Sequence, residues 1–200
     1  TISSVVLAYT DKNAGAGNKT IAVTNATGDA NTSVTNYLIT YVNSTASTIT
    51  PKSLTVTAGA QTKTYDGTTT VASNTAYNVS GLVGNETISS VVLAYTDKNA
   101  GAGNKTIAVT NATGDANTSA SNYNITYVNS TTSTINTKSL TVTASDQTKT
   151  YDGGTGVASN TAFTTSGLVA NETISSVTLA YTDKNAGAGN KTITVGNATG

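Results

Sequence analysis

The sequence has 200 residues with ten Lys against ten Asp plus Glu, no His and no Cys, and a formal net charge of zero. A neutral chain has no basic surface to attract nucleic acid or an anionic membrane. Without His or Cys it also lacks the usual nucleophile–base pairs and the soft metal ligands, and no apolar run approaches the roughly 20 residues that span a bilayer. We therefore expect no catalytic site, no cofactor, no nucleic-acid partner and no insertion into a membrane.

One stretch, TISSVVLAYTDKNAGAGNKTI, begins at Thr1 and again at Thr87. A third copy begins at Thr173 and differs by a single substitution. The fixed period of 86 residues indicates a tandem array. It divides the chain into the C-terminal part of one repeat (1–50, the first repeat), a complete repeat (51–136, the middle repeat) and the N-terminal part of the next (137–200, the third repeat). We expect the sequence to be a piece of a longer array, and its short joints predict a stiff, extended string.

Thr, Val, Ile and Tyr alternate with period two between clusters of Gly, Asn and Asp, which predicts an all-β module without helical segments. The predicted loops are 97–104 and 111–121, and residues 123–135 are predicted to form either one long strand or two strands joined by a kink at Asn129-Ser130. The predicted strands of the middle repeat are, in chain order, 53–58, 61–65, 68–72, 76–83, 87–96, 105–110, 123–128 and 131–135.

Two Asp-Gly pairs predict tight turns after the second strand of a repeat, at Asp66-Gly67 and again at Asp152-Gly153. Gly accepts a positive φ at no steric cost, and an Asp side chain accepts a hydrogen bond from the backbone two residues on. A structural turn therefore accounts for these aspartates better than acid chemistry does.

Substitutions between repeats predict which side of each strand faces the core. Val92 becomes Thr178, and Leu38 becomes Asn124, and a buried site would not accept a new polar group without a partner. Ala108 changes to threonine in the same way, so these three positions are expected to face water. Their period-two neighbours, together with alternate residues of the first strand, are the predicted core: Leu54, Val56, Ala58, Val91, Leu93, Tyr95, Ile107, Val109, Tyr123, Ile125 and Tyr127.

Four motifs recur in register across the repeat: TKTYDGT from Thr62, DKNAG from Asp97, NYNI from Asn122 and ITPKSLTV from Ile49. In these motifs the chain resembles the YDG-type repeats of very large secreted bacterial adhesins, including proteins of the filamentous haemagglutinin kind. The resemblance implies an extracellular all-β module used in tandem at a bacterial surface. Both an immunoglobulin-like small β-sandwich and a β-grasp-like module are compatible with it.

Two kinds of accessory site follow from composition. Asn-X-Ser/Thr sequons are frequent, and glycosylation is a hypothesis for Asn25, Asn43, Asn85, Asn111, Asn129 and Asn171. Calcium is a second hypothesis, although the acids of one repeat are scattered along the sequence and Ca²⁺ takes six to eight oxygen ligands.

Two functions from different classes remain after these exclusions. The leading hypothesis is a structural repeat that forms the stalk or filament of an extracellular adhesin or surface fibre, with other copies of itself as partners, joined by strand addition at an open sheet edge. The alternative is a module that binds a glycan or a host protein, repeated for avidity. A row of exposed tyrosines would favour the alternative.

Overall fold

The structure, a computed structural model, describes residues 1–200 and is all-β, as predicted. Two 3-10 turns, Val34–Asn36 and Ala120–Asn122, are its helical elements. The strands are β1 Ile2–Tyr9, β2 Gly15–Gly28, β3 Ser44–Ile49, β4 Lys52–Ala58, β5 Thr62–Thr64, β6 Tyr77–Ser80, β7 Ile88–Tyr95, β8 Gly101–Gly114, β9 Tyr123–Val128, β10 Ser130–Asn136, β11 Thr141–Ala144, β12 Phe163–Ser166, β13 Ser176–Tyr181 and β14 Ile193–Thr199.

The strands form several small sheets, with the orders β1-β2-β3, β6-β4-β9, β5-β10-β8-β7, β11-β12 and β13-β14. The chain divides into two compact units, which are described separately below. Unit 1 comprises Thr1–Gln61, Thr70–Thr96 and Gly103–Ser133, and unit 2 comprises Thr62–Thr69, Asp97–Ala102 and Thr134–Gly200.

In unit 1 the first strand of the middle repeat lies between two partners. β4 pairs with β6 in the antiparallel sense and with β9 in the parallel sense. Lys52 is opposite Tyr123 at the start of the parallel ladder, and Thr57 is opposite Val128 at its end. The chain therefore leaves this ladder in the direction in which it entered.

The sheet β6-β4-β9 is called the first sheet below, and the sheet β5-β10-β8-β7 is called the second sheet. The second sheet contributes β7 and β8 to unit 1, paired in the antiparallel sense. The Tyr77 hydroxyl of β6 connects it to the sheet β6-β4-β9 by donating to the carbonyl of Ile88 (3.0 Å). The Tyr95 hydroxyl of β7 donates to the carbonyl of Gln61 (3.0 Å), in the segment between β4 and β5. This two-sheet arrangement fits the sandwich, the first of the two predicted architectures.

The core of unit 1 confirms most of the predicted faces. Leu54, Val56 and Ala58 are buried on the first sheet, and the second sheet buries Val91, Leu93, Tyr95, Ile107 and Val109. Val92 is 52% exposed and Leu38 is 100% exposed, as expected from their polar counterparts. Ala108 is half-buried. Comparison of the repeats thus identified the inside of β4, β7 and β8, although Ala108 is less exposed than predicted.

Two predicted core residues of β9 are wrong. Ile125 is only half-buried, and Tyr127 is 38% exposed. The Tyr127 hydroxyl accepts a hydrogen bond from the backbone N–H of Ala112 (2.9 Å) on β8. The Tyr127 hydroxyl therefore satisfies a backbone N–H of β8 beside the register shift, and the side chain does not fill the core.

The loops are shorter than predicted. β8 begins at Gly101 and continues to Gly114, so that four residues of the predicted loop 97–104 and four of the predicted loop 111–121 are strand. Conversely, 68–72 does not form a strand and contributes one isolated bridge, Thr70 to Ala94. The cause is pairing: in the first repeat the equivalent glycine, Gly15 of β2, is opposite Ile49 of β3, whereas 68–72 meets a single bridge partner.

The continuation of β8 depends on a β-bulge at Asn111. Ser90 is opposite Thr113 and Val92 is opposite Thr110, so β8 has one residue more than β7 in this interval. Asn111 lies at φ 51°, in the left-handed region that asparagine tolerates better than most residues. Asn25, its counterpart in the first repeat, has the same φ.

Substitution of Asn111 tests this bulge. Asn111→Val places a β-branched side chain in the left-handed region, and we expect the free energy of unfolding to fall by about 1–2 kcal/mol. Asn111→Gly is the matched control and should leave stability near the wild-type value, because Gly adopts positive φ freely. Thermal unfolding followed by circular dichroism measures both, and equal stability of the two variants would contradict the assigned backbone geometry.

Candidate functional site

The Tyr-Asp-Gly turn, residues 65–67, is held by a lysine from the preceding strand. Lys63 Nζ lies 2.7 Å from Asp66 Oδ1 and 2.8 Å from the carbonyl oxygen of Thr68. Asp66 Oδ1 also accepts the backbone N–H of Thr68 (2.9 Å), and Gly67 lies at φ 76°. The third repeat has the same geometry, with Lys149 Nζ 2.7 Å from Asp152 Oδ1 and Gly153 at φ 76°.

The charge of Asp66 is strongly stabilised. The hydrogen bond from the Lys63 ammonium, followed by those from the backbone and side chain of Thr68, lowers the pKa of Asp66 to about 2. The Lys149 ammonium lowers the pKa of Asp152 for the same reason. Both aspartates thus remain ionised acceptors and do not serve as proton donors at neutral pH.

The pH dependence of stability tests this turn. A depressed pKa contributes stability that is complete above the unfolded-state value near 4 and is lost as the pH falls towards 2. We expect Asp66→Asn to destabilise the chain at pH 7, and we expect most of this effect to be lost by pH 2, while Asp146→Asn, outside the turn, changes stability little at either pH. Thermal unfolding across this range checks both variants, and an Asp66→Asn effect that is independent of pH would contradict the ion pair.

The loop after the TISSVVLAY strand also pairs a lysine with an aspartate. Lys19 Nζ binds Asp11 Oδ2 in the first repeat, and Lys191 Nζ lies 2.6 Å from Asp183 Oδ2 in the third. Each lysine holds the pKa of its aspartate below the ordinary value. The middle repeat has Asp97 and Lys105 at the same spacing. The ion pair thus closes this loop in the first and third repeats.

A glutamate and a buried tyrosine meet at the edge of unit 1. The Tyr123 hydroxyl accepts the backbone N–H of Val83 (3.0 Å) and donates to Glu86 Oε2. Desolvation, followed by the hydrogen bond to Glu86, raises the pKa of Tyr123. Tyr123 belongs to the NYNI motif, and its hydroxyl thus hydrogen-bonds that motif to residues 83–86, the segment that precedes β7.

A second tyrosine and glutamate meet in unit 2, and they come from different repeats. The Tyr65 hydroxyl of the middle repeat donates to Glu172 Oε1 of the third repeat. This hydrogen bond raises the pKa of Tyr65. The Cβ position that a side chain at Gly67 would need is 2.8 Å from Val169 Cγ1. Sequence reasoning placed this turn inside a single module and missed the contact.

Two asparagines form a further contact between repeats, within unit 1. Asn122 Oδ1 of the middle repeat accepts the backbone N–H of Ala14 of the first repeat (2.8 Å), and Asn122 Nδ2 donates to Asn13 Oδ1 (3.0 Å). Asn13 and Ala14 belong to the DKNAGAGN loop. The motifs shared by the repeats therefore lie where one repeat touches another.

The recurring turn and its lysine coincide with a known domain. A family model described as the YDG domain matches residues 50–133 and, a second time, residues 136–200. The chain belongs to the YDG domain family. No curated protein and no solved structure matches the chain. The two YDG matches contain Tyr65-Asp66-Gly67 and Tyr151-Asp152-Gly153, one turn in each.

The six predicted glycosylation positions of this YDG chain are all exposed. Asn25, Asn111 and Asn171 have positive φ. Asn43 and Asn129 accept backbone N–H groups through their side-chain oxygens, from Val23 (3.1 Å) and Val109 (3.2 Å). These asparagines thus have backbone roles that the sequon pattern did not reveal, and glycosylation, including that of Asn85, stays a prediction.

The structure assembles no group of three or more Asp, Glu, His or Cys side chains that could hold a metal ion. Calcium binding by the YDG domains stays a prediction without a candidate cluster. No helix of the chain is long and apolar enough to cross a membrane.

Each unit contains an open cleft. A groove of about 740 Å³ in unit 2 is lined by Thr148, Tyr181 and Ile193 among others. Thr148 is the counterpart of Thr62, which is opposite Thr134 of β10 in the middle repeat. A cleft of about 510 Å³ in unit 1 includes Tyr37 and Tyr41. Addition of a strand from another copy at such a groove stays a prediction.

Proposed function

We propose that this chain is a structural protein whose YDG repeats build the stalk or filament of an extracellular bacterial adhesin or surface fibre. The observation that carries the proposal is the parallel pairing of β4 with β9, the first strand of the middle repeat and one of its last two. In a stalk the chain must enter a module at one end and leave at the other. In the middle repeat, β4 lies near its start and β9 near its end, and their parallel pairing satisfies this requirement.

The same pairing suits a chain under tension. A pull on the two ends of the repeat draws β4 and β9 past each other along their length, because Lys52 to Thr57 lie beside Tyr123 to Val128 in the same direction. The hydrogen bonds of such a parallel ladder are evenly spaced along the strands. They share the load and must break together, whereas a hairpin pulled from its open end would lose them one by one.

The distribution of substitutions supports a structural role. The buried residues of the middle repeat are kept in the other repeats, whereas the positions that differ are exposed, as at Val92 and Thr178, or half-buried, as at Ala108. The lysines at 19, 63, 149 and 191 are engaged by aspartates. A repeated spacer needs its core and its turns and does not need a distinctive surface.

A module that binds a glycan or a host protein is the alternative, and it would need a row of exposed tyrosines. Tyr37 and Tyr41 are exposed in the first repeat. In the complete middle repeat their counterpart Tyr123 is buried, and the partly exposed Tyr127 uses its hydroxyl within the repeat. This distribution favours the stalk over the binding module.

Electron microscopy of intact cells that express the protein tests the proposal. Antibodies against the chain are expected to label filaments or a surface layer, and protease treatment of intact cells should remove the label while a cytoplasmic control protein survives. Label that appears only after lysis would overturn the extracellular assignment. Purified carbohydrates and host matrix proteins, presented to the labelled cells, test the binding alternative separately.

A further inference from the structure

The glutamate that precedes the TISSVVLAY strand occurs twice, and each time its carboxylate accepts a hydrogen bond from a tyrosine hydroxyl. The two tyrosines occupy different positions of the repeat. Glu86 accepts the hydroxyl of Tyr123, from its own repeat, on Oε2. Glu172, the same position one period later, accepts the hydroxyl of Tyr65, from the preceding repeat, on Oε1. On Oε2 of Glu172 the contact is the backbone N–H of Val169, at 3.4 Å.

The difference follows from which tyrosines the sequence contains. Counted by the period, the own-repeat tyrosine of Glu172 would follow residue 200, and the preceding-repeat tyrosine of Glu86 would come before residue 1. An ionised carboxylate has two oxygens with about four lone-pair sites, so one glutamate can accept both hydroxyls.

We propose that each such glutamate in the array binds two tyrosine hydroxyls, one on each carboxylate oxygen, and that the Tyr-Asp-Gly turn is the element by which a repeat docks on the repeat that follows it. The partner of the turn is thus another YDG repeat, at the Val-(Gly/Ala)-Asn-Glu segment, residues 83–86 or 169–172. The inference goes beyond the stalk proposal, because it holds wherever the protein acts.

Each residue of the turn has a part in this docking. Tyr65 donates a charge-assisted hydrogen bond, a class that is shorter and roughly twice as strong as a neutral one. Asp66 and Lys63 fix the turn that presents it. Gly67 provides the positive φ and the absence of Cβ that lets Val169 approach. The contact of Asn122 with Asn13 and Ala14 gives such a joint a second point of attachment.

The chain supplies its own matched controls. Gly153 has the same φ of 76° as Gly67, but its Cβ position has nothing within 4 Å. Tyr151 is 61% exposed, whereas Tyr65 is half-buried against Glu172. A change at 65 or 67 therefore alters the turn and the docking, and the same change at 151 or 153 alters the turn alone.

The first experiment measures exchange of the Glu172 amide, which donates to the Val169 carbonyl at 3.0 Å. We expect Tyr65→Phe and Gly67→Ala to accelerate this exchange about tenfold or more, as the loss of a hydrogen bond to a charged group implies. Tyr151→Phe and Gly153→Ala should leave the exchange unchanged. Equal rates in all four variants and the wild type would overturn the docking role.

The second experiment uses the folded wild-type chain with labelled tyrosines and follows their titration by NMR. Glu172→Gln should lower the pKa of Tyr65 and leave that of Tyr123 unchanged, and Glu86→Gln should do the reverse. In a chain lengthened by one period, Glu172→Gln should lower the pKa of Tyr65 and also that of the newly added tyrosine. A response of only one of these two tyrosines in the lengthened chain would overturn the shared glutamate.

Discussion

Replacing Ile107 with alanine is expected to lower the free energy of unfolding of the middle repeat by about 2–5 kcal/mol. Ile107 is 0% exposed at the centre of β8 and is opposite Tyr95, another buried residue. Truncation removes apolar surface from the core and leaves a cavity that the two sheets cannot close fully. Hydrogen exchange of the Leu93 and Val109 amides reports on the middle repeat without interference from its neighbours.

The matched control is Val92, which lies on the opposite face of the same sheet. Val92→Thr reproduces the residue found at 178 and should change stability by no more than about 0.5 kcal/mol. If Ile107→Ala and Val92→Thr cost the same, the assignment of the inner face would be wrong.

The second large effect is expected at the kink between β9 and β10. Asn129 Oδ1 accepts the backbone N–H of Val109, a residue that is almost completely buried. Asn129→Ala removes the acceptor and leaves that N–H without a partner, at a cost of about 1–3 kcal/mol. Exchange of the Val109 amide should accelerate more than that of Leu93.

Asn129→Asp is the control for this substitution, because it keeps an acceptor oxygen in the same place. It should restore most of the stability lost in Asn129→Ala at neutral pH, whereas Asn124→Ala, at an exposed position of β9, should be near neutral. Equal losses for the alanine and the aspartate at 129 would show that the kink depends on something other than this hydrogen bond.

Local pattern was sufficient to predict most of the strands and most of their buried faces. A substitution between repeats such as Val92 to Thr178 marks an outer face, and the period of two then assigns the neighbours. Gly67 at positive φ and the Asp66 contact with the Thr68 amide likewise depend on residues that are adjacent in sequence.

Pairing between distant segments could not be predicted in this way. No local signal indicates that β4 lies parallel to β9, or that Tyr127 leaves the core to satisfy Ala112 beside the bulge. The Gly-rich start of β8 was predicted as a loop on its composition, but it forms a strand in the sheet in which β10 lies beside β8, as Gly15 of β2 does opposite Ile49 of β3. Tertiary context overrides a weak local preference in such cases.

The contacts between repeats were the least predictable feature. Tyr65 and Glu172 are 107 positions apart, and each has a sufficient local explanation, the tyrosine as part of a turn and the glutamate as a surface acid. A signal was nevertheless present, because both residues recur at the same place in every repeat that contains them.

Single-molecule force spectroscopy tests the central claim, that the repeat carries load through parallel strands near its ends. The chain has no cysteine, so cysteine handles define the pulling points uniquely. Handles at Thr50 and Thr137 load β4 against β9 along their length, and handles at Thr50 and Ser121 peel the two strands apart from their paired starts. The account predicts that the first pair of handles gives one abrupt step of about 250 Å, the extended length of one repeat less its folded length of about 35 Å. This step should need a clearly higher force than unfolding with the second pair. Gradual lengthening, or equal forces in the two directions, would contradict it.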